Sequence, residues 1–190
     1  MRLFTALVPP TAVLDHLEQA LDHVIPPREG QRNPRLPRSS WHITLAFFGQ
    51  VPAGYIPQLS DDFYAAAARH TPFRLELTGA GTFGGRQAWI GVGGETDELS
   101  GLVKDVTGLW HYGEADEPAP PASAHRPHLT FSRLAARADL TNPLRALSVY
   151  RGPTWSVTRA TLFESRLGQG PGGRSLYVPL AEAPLAAPLV

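Results

Sequence analysis

Two histidines stand in the same local setting, in Trp41-His42-Ile43-Thr44-Leu45-Ala46-Phe47 and, 86 positions later, in Pro127-His128-Leu129-Thr130-Phe131-Ser132-Arg133. In each, an imidazole is followed two residues on by a threonine hydroxyl, at the head of an alternating apolar run. Alternate residues of a strand share a face and lie about 7 Å apart. His42, Thr44 and Ala46 therefore point one way, and Trp41, Ile43, Leu45 and Phe47 the other. The same parity groups His128, Thr130 and Ser132 against Leu129 and Phe131, and sets Arg133 opposite His128. One strand histidine alone does no more than satisfy a hydrogen bond. Two in similar context suggest imidazoles brought to one place by two similar halves of a fold, one neutral and one protonated. That is equipment for acid and base catalysis on opposite sides of one reacting atom. With hydroxyls beneath to hold non-bridging oxygens, the set matches what hydrolysis of a phosphodiester requires.

Other chemistries lack their residues. Cysteine is absent, which removes thiol nucleophiles, disulfides and thiolate metal sites. Neither a G-x-S-x-G elbow nor a G-x-x-x-x-G-K loop occurs. His125 and His128 lie three apart, on opposite faces of a strand, and no carboxylate follows at ligand spacing, so no metal site is expected. Gly79-Ala80-Gly81-Thr82-Phe83-Gly84 spells G-x-G-x-x-G, but the dinucleotide fingerprint needs a helix to open there. Ala88-Trp89-Ile90-Gly91-Val92 announces another strand instead, so the glycines read as a hairpin connection and no cofactor is expected.

The elements that must position the histidines follow from periodicity. Residues 2–8 read as an opening strand stopped by Pro9-Pro10, with Thr11 placed to cap a helix carrying Leu14, Leu17, Leu21 and Val24 on one stripe. A Pro-rich loop over residues 26–40 holds Arg28, Arg32, Arg35 and Arg38 and leads into the first motif. These arginines either track a nucleic-acid backbone or decorate an ordinary solvated loop. Helices are predicted at about 53–69, 96–111 and 139–147, and strands at about 72–78, 87–93, 155–166 and 175–180. Residues 2–48 and 87–133 then each read as strand, helix, loop, His-x-Thr strand, an α+β duplication rather than a doubly wound parallel sheet.

At 190 residues and 20.6 kDa, with 43% hydrophobic and 18% charged residues, the chain fits one globular domain over residues 1–180, followed by a loose tail over 181–190. The formal net charge is zero, so no whole-molecule attraction to nucleic acid is indicated, and Lys104 is the only lysine. That bias reflects genome composition in part, although arginine is also the better bidentate phosphate ligand. No apolar run approaches the roughly 20 residues of a membrane span, and the N-terminal apolar stretch is short for a signal peptide. A cytoplasmic monomer is the expectation.

The paired motifs His42-Ile43-Thr44-Leu45-Ala46-Phe47 and His128-Leu129-Thr130-Phe131-Ser132-Arg133 resemble those of the two-histidine (2H) phosphoesterases. Specifically, they resemble the bacterial and archaeal RNA 2',3'-cyclic phosphodiesterases, also called RNA 2'-5' ligases. The opening Met1-Arg2-Leu3-Phe4-Thr5-Ala6-Leu7, the strand Ala88 to Val92 and the late Leu162-Phe163-Glu164-Ser165 extend the resemblance over most of the chain. It implies a bilobal α+β fold of duplicated β-α-β units, two antiparallel sheets flanking a central cleft that carries both motifs. It further implies metal-independent hydrolysis of an RNA-terminal 2',3'-cyclic phosphate to a 2'-phosphomonoester, with His42 as proton donor and His128 as acceptor. Thr44 and Thr130 would hold the phosphate, joined by Arg133 if a bulge re-aims it. The residues alone leave donor and acceptor interchangeable. They also leave open 2'-5' ligation, another cyclic phosphate, or a nucleotide- or RNA-binding module without turnover.

Overall fold

The computed structural model describes residues 1–26, 35–113, 126–133 and 141–186. Within them, eight strands form one sheet in the order β6-β3-β4-β5-β2-β1-β7-β8, every neighbouring pair antiparallel. The strands are β1 Arg2–Leu7, β2 Ile43–Gln50, β3 Phe73–Phe83, β4 Gln87–Gly94, β5 His128–Arg133, β6 Trp155–Val157, β7 Arg159–Arg166 and β8 Leu176–Pro184. Among the described residues the α-helices are α1 Thr11–Val24, α2 Ile56–Ala67, α3 Thr96–Thr107 and α4 Thr141–Leu147. None is long and apolar enough to cross a membrane.

The expected pair of sheets is instead one continuous sheet. Its two four-stranded halves meet at a narrow seam, where β2 and β5 pair only through Ile43↔Leu129. Each of these residues follows one of the histidines. The sheet is strongly curled, as the chain between β6 and β7 requires. Strands first and seventh in a flat sheet would lie about 29 Å apart at the usual spacing, yet Thr158 alone separates β6 from β7, a step of about 7 Å. The predicted single strand over 155–166 is therefore two strands on different halves, broken at Thr158. In each half a strand, a connecting helix and the His-x-Thr strand recur: β1, α1, β2 and β4, α3, β5, the two strands adjacent and antiparallel both times.

The amphipathic stripes fill the core as their spacing dictates. Leu14, Leu17 and Leu21 of α1, Leu59 and Phe63 of α2, and Leu99, Leu102, Val103 and Val106 of α3 are buried against Ile43, Leu45, Leu75, Leu77 and Leu129 of the sheet. Pro10 occupies the N-cap position of α1 and Thr11 is its first residue, so Thr11 does not cap it. Helix α3 stops at Thr107 and tightens into a 3₁₀ turn over Gly108–Tyr112. The tail is ordered further than its small residues suggest, because β8 runs to Pro184, Ala183 and Leu185 are buried, and the Leu185 N–H donates to Thr158.

The glycine-rich stretch lies mostly inside β3, with the turn itself at Gly84-Gly85-Arg86. Gly79 has φ +62° at a register shift between Thr78 and Ala80, a bulge that needs a residue tolerant of the left-handed region. Gly81 pairs with Trp89, and a Cβ there would sit 2.2 Å from the indole ring. The absent side chain lets Trp89 lie across its partner strand.

Candidate active-site cleft

Antiparallel pairing at Ile43↔Leu129 fixes where the motif side chains stand. Extending that register puts His42 across from Thr130 and Thr44 across from His128. The two imidazoles then occupy one diagonal of a square and the two hydroxyls the other. Diagonal neighbours on such a face are about 7 to 8 Å apart, room for one tetrahedral group between the rings. A cleft of about 740 Å³ opens over this square, lined by His42, Thr44, His128 and Thr130 and by Phe47 and Arg133.

Phe47 and Arg133 correct the parity expectation. Phe47 was expected in the core beside Leu45, and Ser132 in the cleft beside Thr130. Instead Phe47 is 55% exposed and lines the cleft, Phe48 is fully buried, and Ser132 is 1% exposed. Beta bulges are the reason. Against β1, strand β2 skips Leu45 and Phe48; against β4, strand β5 skips Phe131. Each extra residue advances the alternation by one. Both motifs thus line the cleft with the histidine, the second residue after it and the fifth, His42, Thr44, Phe47 and His128, Thr130, Arg133, and the first motif adds Leu45 and Ala46.

The β5 bulge is held from both sides. Trp89↔Thr130 and Ala88↔Ser132 fix one edge. On the other, Leu36 N–H donates to the Phe131 carbonyl at 2.7 Å, and Arg35 bridges Ser132. Arg35, only 7% exposed, is anchored by a 2.6 Å ion pair to Asp22 of α1. Arg38 is likewise occupied, by Asp15, Glu18 and the Thr11 carbonyl. Both arginines of the first-motif approach are thus engaged by carboxylates of α1. Arg28, Arg32 and His125 lie outside the described residues.

Aromatic walls hold each imidazole. The His42 ring lies 5.0 Å from Phe4, 6.4 Å from Phe163 and edge-on to Tyr177 at 5.1 Å. The His128 ring lies edge-on to Phe83 at 5.1 Å and 6.1 Å from Trp89. Each histidine also donates a ring N–H to the carbonyl two residues upstream. His128 Nδ1 is 2.7 Å from the Arg126 oxygen, which leaves Nε2 for the cleft, and His42 bonds Ser40. Burial pushes the His42 pKa down to about 4, aided by the positive charges of Arg133 and His128 and opposed by the Ser40 hydrogen bond. A value near 4 leaves the His42 imidazole neutral at pH 7.

Residues that sequence reasoning missed complete the lining. Gln87 donates from Nε2 to Thr130 Oγ1 at 2.8 Å, Arg126 supplies a second cation, and Trp110 and Tyr177 add rings. Their signal is register, which puts Gln87 opposite Arg133, and single-strand periodicity does not carry it. Among the described residues no carboxylate lines the cleft, so a chain of zero net charge presents there two arginines and no anion. No three histidine or carboxylate side chains converge as metal ligands among the described residues. The arrangement can hold an anion, take a proton from one side and give one from the other.

The sequence model of the 2'-5' RNA ligase superfamily matches residues 9–169. An RNA 2',3'-cyclic phosphodiesterase of Geobacillus stearothermophilus is 33% identical over 168 residues, covering 82% of this chain and 52% of that protein. The chain thus spans about half the length of that relative. A protein of the same name from Aeropyrum pernix is 29% identical over 146 residues, covering 73% of this chain and 80% of its own. The crystal structure of E. coli LigT complexed with phosphate superposes with a TM-score of 0.69 at 25% identity, covering 97% of each chain.

Proposed function

The chain belongs to the 2'-5' RNA ligase superfamily, and from that premise we propose that its cleft hydrolyses an RNA-terminal ribose 2',3'-cyclic phosphate to a 2'-phosphomonoester by two-histidine acid–base catalysis without a metal. One observation carries the reading: the two His-x-Thr strands pair at Ile43↔Leu129, so each imidazole stands across from the other strand's threonine. The curated name shared by the relatives supports the substrate class.

In this mechanism the non-bridging oxygens of the cyclic phosphate accept hydrogen bonds from Thr44 and Thr130 and from the Arg133 guanidinium. His128, its Nδ1–H held by the Arg126 carbonyl, offers the Nε2 lone pair to a water. As the water oxygen bonds to phosphorus, its proton passes to His128. The bond from phosphorus to the 3'-oxygen breaks, and His42 protonates the departing alkoxide. His128 then returns its proton to solvent and His42 regains one, restoring the start.

The depressed pKa of His42 has a place in this cycle. The phosphate anion offsets Arg133, one of the two charges that hold His42 below its usual range, and so favours the imidazolium. An anion in the cleft moves His42 toward the protonated form that a general acid needs, against the burial that is the larger cause of its low value. With an RNA 5'-hydroxyl attacking in place of water, its proton passing to His128 and the 3'-oxygen leaving with a proton from His42, the same groups join a 2'-end to a 5'-end, the linkage in the superfamily's name.

Incubation with an oligonucleotide ending in a 2',3'-cyclic phosphate, in excess chelator, tests the proposal. Chromatography should identify a 2'-phosphate end as the product. Absence of turnover, or a 3'-phosphate product, overturns it.

A further inference from the structure

We propose that Gln87 is a positioning residue that decides which way the Thr130 hydroxyl points. The proposal rests on the phosphate-holding role of Thr130 given above. Gln87 opens β4, pairs across the sheet with Arg133 and lines the cleft. Its Nε2 lies 2.8 Å from Thr130 Oγ1.

A threonine hydroxyl has one proton and two lone pairs, and a phosphate oxygen only accepts. Thr130 serves a phosphate only when its O–H is directed into the cleft. The Gln87 amide N–H occupies a lone pair on Oγ1, and the hydroxyl proton cannot share that direction with another donor. The rotor is left to donate elsewhere, toward the cleft that Thr130 lines. Without Gln87 the hydroxyl samples its rotor positions freely and can spend its proton on nearby backbone carbonyls. An oxygen that accepts a hydrogen bond is also a better donor, because the two bonds polarise each other. Gln87 thus aligns a dipole before the anion arrives, so little reorganisation is left when charge develops. Adjacent positions across one strand pair divide the work, Arg133 supplying charge and Gln87 supplying aim.

A double-mutant cycle of Gln87→Leu and Thr130→Val tests this with two readouts. One is the affinity for inorganic phosphate by calorimetry, and the other is kcat and KM on a 2',3'-cyclic-phosphate-ended oligonucleotide. Gln87→Leu alone should lower phosphate affinity and kcat/KM by about tenfold, and by less than about twofold once Thr130 is valine. Gln87→Glu, close to the native side chain in size, carries the test if the leucine variant does not fold. Its carboxylate accepts the Thr130 proton and repels the phosphate, so at neutral pH it should lose more than Gln87→Leu. That gap should close as pH falls through the carboxylate range near about 4 to 5, where the protonated acid donates again. Equal losses in both Thr130 backgrounds overturn the positioning role. Coupling seen with inorganic phosphate in a chain that does not turn over the cyclic phosphate upholds that role and removes the phosphodiesterase reading. A chain that neither binds phosphate nor turns over the cyclic phosphate overturns both.

Discussion

The two His-x-Thr strands use one backbone device to deliver different side chains. In β2 and in β5 alike, a bulge after the threonine turns the fifth residue beyond the histidine into the cleft. In the first half that residue is Phe47 and in the second it is Arg133. Keeping Phe47 55% exposed forgoes roughly 1 kcal/mol or more of burial, while Phe48 beside it fills the core. The second bulge buries Ser132 to bring out a cation. The halves therefore differ around a shared square of imidazoles and hydroxyls. The β5 side carries charge for an anion, and the β2 side carries an apolar surface suited to what the anion is attached to.

The largest effects should fall on the residues common to both halves. His42→Ala and His128→Ala should each lower kcat on a cyclic-phosphate end by about 10²- to 10⁴-fold, the usual worth of one proton transfer. The residual rate of the double variant should be close to that of either single one, because each histidine works only in concert with the other. Full activity in both single variants, in a steady-state assay with chelator, ends the two-histidine mechanism.

Substitutions at the fifth positions sharpen the contrast itself. Arg133→Gln should weaken inorganic phosphate by about 10- to 100-fold through loss of a charge-assisted bond. By removing a positive neighbour, it should also raise the His42 pKa, which an NMR titration of the imidazole reads directly. Phe47→Ala should leave phosphate affinity and kcat alone and raise KM for an oligonucleotide by about tenfold, the scale of one stacking contact. If inorganic phosphate feels Phe47→Ala as strongly as Arg133→Gln, the division of duties fails. Denaturation separates the neighbours: Phe48→Ala should cost about 3 to 5 kcal/mol and Phe47→Ala far less.

What the sequence made legible was whatever repeats locally. The histidine and threonine pairs, the stripes of α1, α2 and α3 and the strand–helix–strand duplication are all written at short range, in periods of two and of about 3.6. The bulges were not. Gly79 marks its bulge with a residue that accepts positive φ, but Leu45, Phe48 and Phe131 are ordinary strand residues whose bulging is imposed by partners. For Phe131 those partners are β4 and the Arg35-Leu36 segment, pinned in turn by Asp22 on α1. Strict alternation therefore misplaced Phe47, Ser132 and Arg133, the residues in which the halves differ. For the same reason, the occupation of Arg35 and Arg38 by carboxylates of α1 and the grip of Gln87 on Thr130 are long-range facts without a local signature.

The smallest expected effect concerns stability, and it sets the two imidazoles apart without any substrate. His42 has an ordinary value near 6.5 in the unfolded chain and about 4 in the fold. Between these values the unfolded chain binds a proton that the folded chain does not. The stability held above pH 6.5 is consequently lost as pH falls toward 4. Between pH 7 and 5.5 the loss from this one group amounts to about 1 kcal/mol. Urea unfolding at the two pH values should show that decrement in the wild type and not in His42→Gln. In Arg133→Gln it should shrink, because one of the charges that depress His42 is gone, leaving burial as the larger cause. An identical decrement in the wild type and in His42→Gln would mean that His42 is hydrated in the free cleft. The anion would then not be needed to charge it, and the β2 half would lose its claim to the more secluded imidazole.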